Sequence, residues 1–244
     1  MFEQALPVNI ADVRSFIGWW TDAGVDQAID EVPTPWVERG AKVAAPVAEA
    51  AKPRIAAPKA PEMPSDLAGF SQWLLTLPAL DLICPPAQRI AVSGNPAADL
   101  MILIDVPEPE DAAAGQLLSG QAGSLFDKML AAIKRDRQST YIAAICPGRP
   151  PGGSITEELL VDLAPLARQH IALAAPKRLW LMGQTASRAA LGVDEAATRG
   201  RLGNFNHEGV NVTAVASFSP RFLLANPKRK AAAWADMQML IEGT

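Results

Sequence analysis

LMILIDVPEPEDAAAGQLLSGQAGSLFDKML, residues 100–130, is the stretch whose reading decides the fold. Its first five residues, Leu100 to Ile104, are uniformly apolar, the pattern of a parallel strand covered by helices on both faces. The run stops at Asp105. Pro107 and Pro109 then deny the backbone both ladder pairing and a smooth helical turn, so a loop must leave the strand at its carboxyl end. In open α/β sheets that end is where ligands bind. Gly115, Gly120 and Gly123 loosen the next segment, and the spacing predicts a helix from about Ser124 to Lys134 with Leu125, Met129, Leu130 and Ile133 inward.

Toward the C-terminus, strand and helix keep alternating. Residues 140–146 read as a second strand, ended by a Pro/Gly loop that carries Arg149. Ser154-Ile155-Thr156-Glu157 reads as a capping box opening a helix to about Ala174. A third strand is predicted over 178–182, a helix over 184–191 closed by Gly192, and a fourth strand over 210–216. A polar loop with Arg199, Arg201, Asn204 and His207 precedes that last strand, and Asn226-Pro227 opens a final helix to about Ile241. Upstream, Ser65 caps a helix with Leu67, Phe70, Trp73, Leu74 and Leu77 at helical spacing. The expectation is an α/β domain over residues 65–244, built as three layers, α/β/α, around a central, mainly parallel four-stranded sheet.

The remaining N-terminal quarter has a different composition. Residues 41–64 hold nine Ala and five Pro among 24 positions and no aromatic residue, which predicts a semi-extended linker. Before it, residues 1–40 are predicted to form a helical segment, with Asn9 as cap and Phe16 and Trp20 on one apolar face, and with Trp36 beyond Pro33 and Pro35. So short a piece buries no core of its own. Phe16, Trp20 and Trp36 therefore either dock on the chain's own domain or anchor a protein partner.

Charge and cysteine usage narrow the function classes. The formal net charge of −4 argues against bulk electrostatic attachment to nucleic acid and leaves room only for a local basic patch. Arg149, Arg199, Arg201, Arg221 and the run Lys228-Arg229-Lys230 lie on loops or helix termini that an α/β topology gathers at one sheet edge. They are either phosphate contacts or a solvated basic face. Two cysteines, Cys84 and Cys146, and two histidines, His170 and His207, lack metal-ligand spacing, so no metal site is predicted and the thiols belong in a reducing compartment. No apolar run reaches a membrane span of roughly 18 residues and no basic leader precedes an apolar stretch. A cytoplasmic protein is expected.

The order of punctuation marks resembles the uracil-DNA glycosylase superfamily, particularly its bacterial iron–sulfur branch, the type 4 and type 5 enzymes. The family's G-E-x-P-G motif after a strand is similar to Ile104-Asp105-Val106-Pro107-Glu108. Glu110-Asp111, Gly115-Gln116-Leu117-Leu118-Ser119-Gly120 and Ala122-Gly123 come next at the family's spacing, then Tyr141-Ile142-Ala143-Ala144, Gly148-Arg149-Pro150-Pro151 and Pro176-Lys177 through Gly183. Ser219-Pro220-Arg221, Leu223-Leu224 and Lys228 resemble its H-P-S segment.

The resemblance implies a fold while the departures fall on the chemistry. Such glycosylases flip a uracil out of the duplex, stack it on a ring, read its edge with an amide and stabilise developing charge. Leu118 stands where the stacking Phe is implied, Ala144 where the edge-reading Asn is, and Ser219 where the His is. Ile104 and Glu108 replace both glycines of the first motif, and the cluster cysteines are missing, so no iron–sulfur cofactor is predicted. Asp105 alone keeps the family's carboxylate, one methylene shorter, either as a general base or as a solvated acid closing a strand. The expectation is an inactive glycosylase-like binding or scaffold subunit in DNA repair or replication. The alternative is a divergent DNA glycosylase excising uracil or another damaged base with Asp105 as the catalytic carboxylate and a pocket made apolar by Ile104, Leu118 and Ala144.

Overall fold

The computed structural model describes residues 63–242. The expected N-terminal segment with Phe16, Trp20 and Trp36, and nearly all of the linker, lie outside the described residues. The elements run α1 (Leu67–Thr76), β1 (Ser93–Gly94), β2 (Leu100–Ile104), α2 (Asp111–Ala114), α3 (Gly120–Ala132), β3 (Tyr141–Ala144), α4 (Glu157–Ala174), β4 (Arg178–Met182), α5 (Gln184–Leu191), α6 (Glu195–Thr198), β5 (Gly203–His207), β6 (Val210–Ser217), α7 (Pro220–Ala225) and α8 (Lys230–Glu242). Among these, no helix is long and apolar enough to cross a membrane.

One sheet carries the molecule, in the order β1-β3-β2-β4-β6-β5. The four expected strands are its parallel centre, with Ile102 opposite Ile142 and Trp180, and Leu181 opposite Ala216. The expected count of four is corrected to six, because β1 and β5 add antiparallel edges. β1 is two residues long, and β5 has only Phe205 buried, so neither shows an apolar run. The turn joining β5 to β6 is Glu208-Gly209, with φ of 47° and 83°, the two-residue geometry whose twist matches a hairpin.

Strand periodicity sorts the core into two layers. Met101, Leu103, Tyr141, Ala143, Leu179 and Leu181 face one way, onto Phe70 and Leu74 of α1, Leu163 and Ile171 of α4 and Ala186 and Ala189 of α5. Ile102, Ile104, Ile142, Trp180 and Met182 face the other way, onto Phe126 and Leu130 of α3, Leu223 of α7 and Met237 of α8. This is the expected three-layer α/β/α sandwich. Caps differ in detail: Asp66 rather than Ser65 accepts from the Gly69 amide at the start of α1, and Thr156 accepts from Leu159 at the start of α4. Asn226 closes α7 by donating to the Phe222 carbonyl, and a 3₁₀ turn over Pro227–Arg229 leads into α8.

The loop after β2 is shaped by one buried carboxylate. Asp111 accepts hydrogen bonds from the amides of Glu108 and Leu118 at 2.8 Å each, and from the Ser119 amide and hydroxyl at 2.6 and 2.5 Å. Arg137 closes the loop from the other side, donating to the carbonyls of Leu117 and Leu118 at 2.7 and 2.5 Å. Leu118 is thereby held at φ 55°, a conformation that costs a non-glycine residue about 1–3 kcal/mol. Helix α3 starts at Gly120, four residues before the predicted start, because the backbone just ahead of it is organised by Asp111 and not by local propensity. Replacing Asp111 by Ala orphans buried amides and should cost about 3–5 kcal/mol in urea unfolding; a loss under about 1 kcal/mol would mean those amides find other partners.

Candidate functional site

Because β2, β3, β4 and β6 are parallel, the segments that leave their carboxyl ends emerge on one edge. Asp105 is next after β2, Arg149 lies in the loop after β3, Gly183 is next after β4, and Phe218 and Ser219 come after β6. Between Asp105, Gly183 and the Phe218-Ser219 segment opens a cleft of about 520 Å³, lined also by Gln184, Arg221 and Phe222. The edge is the one the sequence points to, and the cleft contains the one catalytic-type carboxylate the motif retains.

Asp105 does not stand free. Its Oδ1 accepts the Ala186 amide of α5 at 2.6 Å, so the carboxylate sits on the amino end of that helix, where the helix dipole favours an anion. Gly183 makes the approach feasible: a β-carbon there would fall 2.5 Å from Oδ2 of Asp105. Burial nevertheless dominates and pushes the Asp105 acid up to about 6, against the opposing effects of the Ala186 amide and the Arg221 charge. Glu108, buried beside it in the loop, is also raised by burial, while its Oε2 lies 3.7 Å from Arg221 Nη1.

Positions that the resemblance links to base recognition are occupied by packing. Ile104, Leu118 and Ala144 are all buried in the α3-side core and none lines the cleft, which corrects the expectation that they form an apolar pocket wall. Ser219 is used as the cap of α7, its Oγ accepting from the Phe222 amide at 3.3 Å. Side chains fill the space on the Leu118 side, while the Ser219 side borders the open cleft. Sequence reasoning misses Gly183, Phe218 and Phe222 as site residues. Gly183 reads only as the end of a strand, and the signal for the other two is their i, i+4 spacing around Ser219-Pro220, which places Phe218 and Phe222 in a stack with ring centroids 4.8 Å apart.

The basic residues separate into two kinds. Arg199 lies over the Phe218 ring at 3.6 Å and pairs with the buried Asp236 at 3.0 Å, so it braces the wall of the cleft. Arg149 donates to the Pro107 carbonyl at 2.8 Å and holds the two edge loops together. Arg221 is half-exposed at the cleft, Arg229 reaches to 6.0 Å from the Phe218 centroid, and Lys228, Arg229, Lys230 and Arg201 are exposed.

Donor chemistry does not fit an iron–sulfur cluster, which takes four thiolate-type ligands. Cys84 and Cys146 are the chain's only cysteines, 3.8 Å apart. His170 is engaged with the Tyr141 hydroxyl at 2.8 Å, burial drawing it down to about 4, and His207 lies against Phe205. Among the described residues no three His, Cys, Asp or Glu side chains converge on a metal-sized site.

Residues 91–238 match the uracil DNA glycosylase superfamily model. The chain belongs to that superfamily, whose members act on DNA.

The raised pKa of Asp105 has a definite consequence for stability. A carboxyl that holds its proton more tightly when folded contributes stability below about pH 4, and that contribution is lost as pH rises through about 6. Asp105→Asn keeps an acceptor for Ala186 without the charge, so its unfolding free energy relative to the parent should rise between pH 4 and 7 by on the order of 2 kcal/mol. Urea midpoints across that range measure it, and parallel curves for the two proteins would contradict it.

Proposed function

We propose that this domain has exchanged base excision for binding, and acts as a DNA-binding or scaffold module in DNA repair or replication. The observation that carries the reading is the reuse of catalytic positions as structure: Leu118 and Ala144 are core residues, Ser219 is a helix cap, and Asp105 is tied to α5. A site that reads a base edge needs a polar partner at that edge, and Ala144 offers none. Exposed Lys228 and Arg229 of the 3₁₀ turn and Lys230 at the start of α8, with Arg201 and Arg221, supply the candidate backbone contacts. The aromatic anchors Phe16, Trp20 and Trp36 extend the proposal to a protein partner held by residues 1–40.

One observation favours a second reading. A protonatable carboxyl with a value near 6 bordering an open cleft is suited to general acid–base work, so a divergent glycosylase using Asp105 is the competing function. It requires base release that grows as the pH passes about 6, when Asp105 ionises.

Incubation with oligonucleotides bearing uracil, hypoxanthine or alkylated bases separates the two, with abasic sites as the readout at pH 5 and 8. The binding reading expects none. Base release that disappears in Asp105→Ala establishes the enzyme instead. For DNA affinity, Lys228→Glu, Arg229→Glu and Lys230→Glu combined should weaken binding at least about tenfold near 100 mM salt and flatten the salt dependence; unchanged affinity in a fluorescence anisotropy titration would remove α8 from the contact surface. Deleting residues 1–40 should leave DNA affinity unchanged and abolish recovery of the protein partner, and undiminished recovery would rule out the anchor.

A further inference from the structure

Cys84 and Cys146 take no part in the cleft, yet the fold brings them together across 62 residues of chain with their sulfurs 3.8 Å apart. Both are fully buried, and both are free thiols. Each sits on a stiff support. Cys146 lies two residues beyond β3, its amide bonded to the Asp105 carbonyl. Cys84 is held by Arg89, whose fully buried guanidinium donates to the carbonyls of Cys84, Leu75 and Leu77 at 2.9–3.0 Å and pairs with Asp81 at 2.7 Å. The loop after β3 lies directly on the thiol: a β-carbon on Gly148 would fall 2.5 Å from Cys84 Cβ. On the outer side, Ile83 and Pro85, the neighbours of Cys84 in the chain, line an open groove of about 710 Å³ together with Gln88, Pro107, Arg149 and Pro150.

We propose that Cys84 and Cys146 form a reversible intramolecular disulfide when a small hydroperoxide enters from that groove. The bond length of roughly 2.05 Å leaves the sulfurs less than about 2 Å to close from their present separation. Hydrogen bonding from Cys146 holds the Cys84 thiol below its ordinary range in spite of burial, with Arg89 adding to the effect, and the same contact and burial push Cys146 up. With the buried Arg89 guanidinium held on its own carbonyl, Cys84 is the attacking sulfur. Its thiolate attacks one peroxide oxygen, the O–O bond breaks, and with hydrogen peroxide the second oxygen leaves as hydroxide, which takes up the proton that Cys84 released on ionising, so that one water and a Cys84 sulfenic acid result. The Cys146 sulfur then attacks the Cys84 sulfur and expels the hydroxyl, which takes the Cys146 proton and leaves as a second water. Two thiols lose two electrons and the peroxide gains them. The bridge joins the segment gripped by Arg89 to the loop that carries Arg149, fixing one wall of the groove, and it is independent of any DNA contact.

The test uses the full chain, treated with hydrogen peroxide under native conditions, unfolded and alkylated. The expected product is lighter by two hydrogens, takes up no alkylating reagent, yields a peptide joining Cys84 to Cys146, and reverts with dithiothreitol. In Cys146→Ser, dimedone should label Cys84, and peroxide should consume that thiol roughly tenfold faster than Cys146 in Cys84→Ser. Full alkylation of both thiols after a peroxide dose that oxidises the same protein in urea would overturn the proposal, as would a bridge formed only between two chains. Because the decisive reading is made on the unsubstituted protein, poor folding of either serine variant does not rescue it.

Discussion

A single carboxylate, that of Asp111, organises the side of the molecule where function is to be sought. Four donors from residues 108, 118 and 119 converge on it, and the group is completely buried. Charge-assisted bonds of this kind are about twice as strong as neutral ones. They bend the chain after β2 back on itself, force Leu118 into a left-handed backbone and set where α3 begins. The position of Asp105, at the root of that loop, depends on the same anchor.

At the carboxyl edge of the sheet, the polar side chains that border the cleft are engaged in holding the fold. Asp105 rests on the end of α5, Ser219 caps α7, and Arg199 braces Phe218 against the buried Asp236. Each of these side chains satisfies a backbone or charge that the fold would otherwise leave unpaired. The cleft that remains is aromatic on one wall and acidic at its base, with Arg221 at its mouth. Removal of any one group therefore perturbs stability as well as any chemistry, so measurements on this edge need both readouts.

Much of the architecture is legible in the sequence because it rests on short-range rules. β2 and β3 are unbroken apolar runs, β4 is one after Arg178, and β6 alternates before its apolar end, while Pro107, Pro147 and Gly192 mark where strands and helices end. The missed pieces lack such marks. β5 carries polar residues at most positions and is held by pairing to β6, and its Glu208-Gly209 turn is not the Asn-Gly or Asp-Gly type that announces a hairpin. Helix α7 has a visible signal, Ser219 with Pro220 after it, that the family motif conceals. The candidate site divides in the same way: Asp105 stands out by position, while Phe218 and Phe222 become a wall only when the chain turns between them.

By itself the amino-acid order determined the layer architecture and the four central strands, since residue type and periodicity are local properties of the chain. Only the tertiary structure decided that Leu118 and Ala144 are core residues and not pocket walls, that Arg199 belongs to Asp236, and that two thiols 62 residues apart share one interior site. Those outcomes depend on which distant segments the sheet brings within bonding distance, and no local pattern encodes that distance.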